Sequence, residues 1–231
     1  MQPGFHILYE DGPCLVVSKP PGVLTQAPPG IDSLEVRIKA FLRARDGVPE
    51  PYLGLPHRLD RPASGVMVFG KDQRTTRKLS EQFEQRKVRK VYWACIEGCV
   101  TPETGAWEDF MIKVHGQPRG EVVGQGHPEA RRAVLHYRVL QVADWGAWLE
   151  IELATGRTHQ IRVQAASRDH PLLGDAQYGS TVPFGPQHED WRERAIALHA
   201  RSLSFRNPAT RQDVTVTAPV ADYWPIRPLL A

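Results

Sequence analysis

The chain has 231 residues, of which 41% are hydrophobic and 24% are charged, a balance typical of a soluble globular protein. No apolar run approaches the ~18 residues that a membrane-spanning helix needs. The N-terminus lacks the basic start and apolar stretch of a signal peptide. We therefore expect a cytoplasmic protein. Cys14, Cys95 and Cys99 show no metal-ligand spacing, and we expect reduced, buried thiols.

The positive charge is concentrated in one segment. The whole chain carries +3, but residues 71–90 hold eight basic and three acidic side chains, which gives +5 there and −2 elsewhere. Such a segment suits a polyanion such as nucleic acid. A solvated helix face is the alternative interpretation.

The first half of the chain predicts two strands and two helices before a third strand. The apolar run 14–20 is a strand that ends at a Pro-Pro-Gly turn. Residues 33–45 form a helix with Ser33 as its cap, and strand 66–72 follows. Residues 73–87 form a second helix with its basic side chains outward, and strand 91–98 comes next.

The second half begins with a predicted loop over 113–131, because this segment holds four glycines and two prolines. Strands follow at 133–142 and 147–155, and the second alternates so that Trp148, Glu150 and Glu152 face solvent. A short helix over 159–167 precedes the strands 201–208 and 212–219. The irregular order predicts an α+β fold with a mixed, largely antiparallel sheet and flanking helices, as a single domain over 1–231.

The sequence lacks the motifs of several common classes of metal-binding, nucleotide-binding and hydrolytic proteins. The nine histidines do not fall at metal-ligand spacings, and there is no Cys-x-x-Cys pair, so we expect no metal site. Phosphate-binding glycine loops, the dinucleotide-binding fingerprint, the zinc deaminase signature and the Gly-x-Ser-x-Gly elbow are also absent from the sequence. Acid–base or nucleophilic chemistry by side chains remains.

The segment HRLDRPASG, residues 57–65, holds one carboxylate, Asp60, between Arg58 and Arg61. A nearby positive charge keeps a carboxylate ionised, which suits a nucleophile or base rather than an acid. Asp109 and Asp175 are candidates for a second acid, but nothing in their local sequence would raise their pKa values. A purely structural Asp60, capping a turn or pairing with Arg58, is the alternative.

Several ordered motifs resemble the RluA-type family of RNA pseudouridine synthases. The resemblance spans about residues 7–219. The motifs that carry it are HRLDRPASG (57–65), YEDGPCLVVSKPPGVLTQ (9–26), KVYWACIEG (90–98), GRTHQIRV (156–163), HPLLGDAQYG (170–179) and LHARSLSFRNP (198–208). It implies the pseudouridine synthase fold and isomerisation of uridine within RNA, without cofactor or metal.

The resemblance also implies roles for individual residues. Asp60 corresponds to the catalytic aspartate, and Arg162 to the arginine that pairs with it. Tyr92 corresponds to the tyrosine that packs on the extruded uracil, and Arg58 to the arginine that helps displace the target base. We expect further RNA contacts from Arg157, Arg86, Lys87, Arg89 and Lys90.

The sequence departs from the family pattern at Ala63, Gln164, Asp169 and Asn207, none of which replaces a proposed catalytic residue. A non-catalytic RNA-binding protein on the same fold is therefore an alternative, and a nucleoside glycosidase is a weaker one. We expect a monomer that acts on transfer or ribosomal RNA. We also expect no additional N-terminal RNA-binding domain, so that the catalytic domain itself holds the RNA. Neither the RNA nor the uridine can be deduced from the sequence.

Overall fold

A computed structural model describes residues 4–225 of the chain. Its residues cluster into two compact units. The first comprises residues 4–90, 190–193 and 200–220, and the second comprises 91–189, 194–199 and 221–225. The single domain expected over residues 1–231, whose ends lie outside the described residues, stays a prediction. No helix in this part of the chain combines the length and apolarity needed to cross a bilayer.

The first unit contains a sheet with the strand order β1-β2-β3-β9, and β10 pairs with β9. The pairs β1–β2, β2–β3 and β9–β10 are antiparallel. The elements of this unit are β1 (His6–Asp11), β2 (Cys14–Lys19), α1 (Leu34–Asp46), β3 (Ser64–Gly70), α2 (Gln73–Glu84), most of β9 (Leu198–Arg206) and β10 (Asp213–Thr217).

Capping residues define where the two helices of the first unit begin. The Ser33 side chain accepts a hydrogen bond from the Val36 amide at 3.3 Å, and α1 turns its leucine and isoleucine side chains into the core. The Asp72 carboxylate accepts one from the Thr75 amide at 2.7 Å at the start of α2. The second helix ends three residues earlier than predicted, and Arg86 adopts a left-handed conformation just after it.

The second unit contains the strand order β4-β8-β7-β5-β6. The pairs β4–β8, β7–β8, β5–β7 and β5–β6 are antiparallel. Its elements are β4 (Arg89–Ile96), β5 (Thr104–Lys113), β6 (Gly120–Val123), β7 (Arg131–Ala143), β8 (Gly146–Leu153) and the short helix α3 (Gln160–Ala166).

The predicted α+β class, with a mixed, largely antiparallel sheet and three flanking α-helices, is confirmed. Some elements were missed or misjudged. The strands β1 and β5 were not predicted from the sequence, and the segment expected to be a loop over 113–131 contains β6. Glycine-rich segments can still pair when a neighbouring strand supplies the hydrogen-bond ladder.

Two predictions about burial were wrong. Trp148, assigned to the solvent face of its strand, is 1% exposed because its ring packs edge-on against Trp93 with ring centres 4.7 Å apart. Cys99, expected to be buried, is exposed, whereas Cys14 and Cys95 are buried as predicted. Cys99 lies beyond the end of β4, where the chain leaves the sheet.

Gly65 permits a close approach of two strands in the first unit. Its φ is +118°, and a Cβ atom there would lie 2.3 Å from the Ala200 carbonyl oxygen.

We expect Gly65→Ala to lower the free energy of unfolding by about 3 kcal/mol, because it adds backbone strain and a steric clash with Ala200. Gly12→Ala is the matched control, because Gly12 has a φ of +53° but no neighbour within 4 Å. It should cost about 1 kcal/mol, and equal losses in urea unfolding would contradict the close-approach argument.

Candidate active site

The first residue of the HRLDRPASG segment is held in the framework of the first unit. The His57 ring stacks on Phe83 with centroids 4.5 Å apart, and its Nε2 accepts the Val68 amide at 3.1 Å. Burial lowers the pKa of His57 to about 3, and the charge of Lys90 adds to this effect. His57 is therefore neutral at physiological pH and serves as a fixed support.

The two residues that flank Asp60 are both fastened to another loop. The Thr25 hydroxyl donates to the Leu59 carbonyl at 2.9 Å and accepts the Leu59 amide at 3.2 Å. The Arg61 guanidinium donates to the Gly22 carbonyl at 2.8 Å, and the Gly22 amide donates to the Arg61 carbonyl at 2.9 Å. Asp60, which is half-buried, therefore has a fixed backbone position.

A buried lysine completes this support. Lys19 is 0% exposed, and its ammonium donates to the carbonyls of Pro20, Val23 and Arg61 at 2.9, 2.8 and 3.1 Å. Burial lowers the pKa of Lys19 to about 7, and the nearby charge of Asp60 opposes that shift. Since only the ammonium form has three donors for three carbonyls, Lys19 joins the loop after β2 to the loop that carries Asp60.

The two arginines beside Asp60 therefore differ in role. Arg61 is engaged with Gly22 and helps to hold the loop, while Arg58 is exposed. An exposed guanidinium on a fixed loop remains accessible to a ligand.

In the second unit, Arg162 of α3 forms a buried ion pair with Asp175. Its Nε donates to Asp175 Oδ2 at 2.6 Å and its Nη2 donates to Oδ1 at 2.8 Å. The two residues are 3% and 1% exposed. Removing the Asp175 carboxylate would take a counter-charge and two hydrogen bonds away from this buried guanidinium.

Three further side chains surround the Arg162 guanidinium. Nη2 also donates to the Gln177 side-chain oxygen at 2.8 Å, and Nη1 lies 3.2 Å from His159 Nδ1. The Tyr178 ring lies beneath the guanidinium at 4.8 Å, and its hydroxyl is 2.9 Å from His159 Nδ1. The guanidinium is thus fixed in both plane and position.

Tyr92 lies on β4 opposite Ile151 of β8 and is half-buried. Arg157 precedes α3 and is also half-buried, and its Nε donates to the Arg132 carbonyl at 3.0 Å. The structure thus places Asp60 in the first unit and Tyr92, Arg157 and Arg162 in the second.

Four of the basic residues predicted to contact RNA follow α2. Arg86 and Lys87 are exposed in the turn, and Arg89 is exposed at the start of β4. Lys90 is half-buried, and its pKa is lowered chiefly by burial and also by the charge of Arg86. Among residues 4–225, no three His, Cys, Asp or Glu side chains are grouped where they could hold a metal ion.

Gln164, one of the departures from the family pattern, lies in a buried polar chain. It is 0% exposed, and its Nε2 donates to Asp109 at 2.6 Å and to the Trp107 carbonyl at 3.2 Å. Its Oε1 accepts Gln160 Nε2 at 3.0 Å. The amide is satisfied on both sides, so this departure leaves no buried polar group unpaired.

The other departures also have structural partners. Asp169 has a φ of +61°, a left-handed conformation that glycine prefers and aspartate tolerates. Asn207 is fully buried, donates to Tyr9 and Asp11, and accepts the Ala209 amide at 2.9 Å. Ala63 is 1% exposed, and its amide donates to the Asp60 carbonyl at 3.2 Å.

Sequence reasoning missed two residues that hold this site. Asp175 was considered only as a second acid, although it lies in the HPLLGDAQYG motif and binds Arg162. Lys19 received no role, because lysine is rarely fully buried and its place at the end of the run Cys14–Lys19 gives no signal of burial.

Lys19 should make stability depend on pH. Its pKa falls from 10.5 to about 7 on folding, so between these values the unfolded chain binds more protons than the folded protein. Stability therefore rises with pH across that window, by about 2 kcal/mol between pH 7 and 9. Lys19→Met should lose this rise in urea unfolding.

Lys39→Met is the control for that experiment, because Lys39 lies at the surface of α1 beside Glu35. It should keep the wild-type dependence on pH. A Lys19→Met variant with the full wild-type rise would show that another group causes it.

Asp175→Asn should destabilise the protein by about 3–5 kcal/mol, because it takes a negative charge away from the buried Arg162 guanidinium that it contacts through two hydrogen bonds. The control is Glu108→Gln, since Glu108 meets Arg132 through the same two-bonded geometry at the surface. That change should cost about 0–1 kcal/mol in urea unfolding. Equal losses would argue against the importance of burial.

The sequence and the fold of this chain are similar to those of known proteins. A family model described as RNA pseudouridylate synthase matches residues 13–167. The chain is 34% identical over 227 residues to ribosomal large subunit pseudouridine synthase D of Vibrio cholerae, covering 94% of this chain and 68% of that protein. It is 33% identical over 225 residues to the protein of the same name from Xanthomonas campestris, covering 94% and 66%.

Among solved structures, human RNA Pseudouridylate Synthase Domain Containing 4 superposes with a TM-score of 0.76 at 26% identity, over 94% of this chain and 89% of that one. The chain spans about two thirds of the length of the curated relatives that it matches. The family match includes the loop of Asp60, strand β4 with Tyr92, and Arg162. On this evidence the chain belongs to the RNA pseudouridylate synthase family.

Proposed function

We propose that this protein isomerises uridine to pseudouridine within RNA, with Asp60 as its catalytic aspartate. The observation that carries the proposal is that the family match extends across Asp60, Tyr92 and Arg162. The fastening of Leu59 and Arg61 on either side of Asp60 supports it, because a reacting carboxylate must be held in position.

The reaction breaks the bond between ribose C1′ and base N1 and joins C1′ to base C5. The hydrogen on C5 leaves as a proton, and N1 gains one, so no atoms are lost overall. Asp60 acts in this scheme as the anionic nucleophile or base. Neither step changes the oxidation state of the substrate.

The remaining site residues receive supporting roles in the proposal. Arg162 is the partner that keeps Asp60 ionised, and its fixed guanidinium suits that task. Tyr92 packs on the extruded uracil, a contact that contributes about 1–3 kcal/mol when an aromatic ring stacks on a base. Arg58, exposed on the Asp60 loop, occupies the space that the base vacates.

The proposed RNA contacts also include Arg157 and the exposed cations after α2, namely Arg86, Lys87 and Arg89, with Lys90 at their edge. We propose large-subunit ribosomal RNA as the substrate, because the two relatives described above are named for that subunit. Transfer RNA is the alternative substrate. The proposed activity is cytoplasmic, and the chain acts as a monomer.

Release of tritium from RNA labelled at uracil C5 tests this proposal. We expect wild-type protein to release tritium from unmodified ribosomal RNA, and Asp60→Asn to reduce the rate by at least about a thousandfold while RNA binding persists. Asp32→Asn is the matched control, since Asp32 is an exposed aspartate paired with Arg37 in the same unit, and it should keep full activity.

Three other outcomes would contradict the proposal or part of it. Bound RNA without tritium release from ribosomal RNA, ribosomal particles or transfer RNA would favour the non-catalytic RNA-binding protein. Free uracil among the products would indicate a glycosidase. Release from transfer RNA alone would overturn the ribosomal assignment and leave the isomerase intact.

A further inference from the structure

The sheet of the second unit has a face that α3 covers only in part. Met111 of β5 and Ala133 of β7 are buried against Val163 of α3. In the register of β5 and β7, Met111 lies opposite Arg131, so both side chains project from that same face. Lys113 is two residues further along β5 and shares the face as well.

An open groove of about 520 Å³ lies where this face extends past the start of α3. The end of β5 and the turn after it form one wall, and the residues just before and at the start of β7 form a second. The loop 156–158 forms the third. A volume of this size is in the range of sites that hold a small ligand or a few linked groups.

The charge of the groove is positive. Three cations line it, Lys113, Arg131 and Arg157, against one carboxylate, Glu129. Glu129 is not directed at any of the three, since it pairs with His115 at 3.2 Å. Lys113 and Arg131 are exposed, and within residues 4–225 neither has an acidic group within ion-pair distance.

The loop that carries Arg157 is firmly placed. The Arg157 amide donates to Gln160 Oε1 at 3.0 Å, and its Nε donates to the Arg132 carbonyl at 3.0 Å. The neighbouring strand approaches closely, because a Cβ on Gly120 would lie 2.8 Å from the Thr158 carbonyl oxygen. This wall of the groove is therefore preformed, which reduces the ordering that binding requires.

The side chains of the groove suit a backbone rather than a base. None of its lining residues is phenylalanine, tyrosine or tryptophan, and its one imidazole, His115, is paired with Glu129, so it offers no flat indole or phenyl platform for base stacking. Lysine and arginine side chains instead contact phosphate oxygens without regard to sequence. Gly156 and Thr158, which line the same groove, precede the helix that carries Arg162.

We propose that this groove, formed by Lys113, Arg131 and Arg157, binds the phosphodiester backbone of the single-stranded RNA segment next to the modified uridine. The assignment of RNA rests on the proposed function, and the groove deepens it by naming where the flanking strand lies. Lys113 and Arg131 act as RNA-binding residues and take no part in the chemical step.

Binding of a fluorescent single-stranded oligouridylate, measured over a range of salt concentrations, tests the groove. The variant is Lys113→Gln with Arg131→Gln. Each phosphate contact on a single strand contributes about 0.7 to the slope of log K against log salt, so the slope should fall by about 1.4. Affinity at low salt should fall about tenfold. The double variant Lys113→Arg with Arg131→Lys keeps both positive charges and should therefore keep the wild-type slope.

The matched control removes the same charge from the opposite face of the same strand. Arg132 and Arg138 of β7 are exposed and pair with Glu108 and Glu150. Arg132→Gln with Arg138→Gln should leave the slope unchanged. A slope that falls equally in both variants, or in neither, would overturn the groove assignment.

The test separates the groove from the proposed function. If wild-type protein releases tritium but the groove variant keeps its slope, the groove assignment fails alone. If no RNA yields tritium but the groove variant still lowers the slope, the isomerase proposal fails and the groove stands as an RNA-binding site.

Discussion

The ion pair between Arg162 and Asp175 is almost fully excluded from solvent, and the side chains of His159, Gln177 and Tyr178 surround its guanidinium. Two parallel hydrogen bonds fix the guanidinium, and the Tyr178 ring lies beneath it. Tyr178 in turn accepts the Gly120 amide of β6 at 2.9 Å. A buried pair of this kind places a charge with little freedom, which is the property that a site for charged chemistry needs.

In the first unit, the charged side chain of Asp60 is carried by a loop that is also fixed in position. Asp60 does not lie on a helix or strand, yet both its neighbours are bonded to the segment after β2. Lys19 joins the same two loops by donating to three backbone carbonyls. The fixed position of the Asp60 backbone therefore comes from hydrogen bonds between loops rather than from regular secondary structure.

The sequence predicted much of the fold because its strands and helices carry strong local signals. Ser33 and the apolar spacing of α1 are examples, and the helix begins and is buried as expected. The strand β6 carries weak signals, since Gly120 belongs to a glycine-rich segment and pairs only because β5 lies beside it. The Arg162–Asp175 contact joins residues 13 apart through a turn, and no local pattern encodes that geometry.

The most direct test of this account is the single-turnover rate of pseudouridine formation by Arg162→Lys with saturating protein. Lysine keeps the positive charge opposite Asp175 but cannot hold Asp175, Gln177 and His159 together with one planar fork. The account predicts a rate about a hundredfold lower, with Kd for RNA unchanged. A wild-type rate from a folded Arg162→Lys protein would contradict the claim that this fixed guanidinium supports the chemistry.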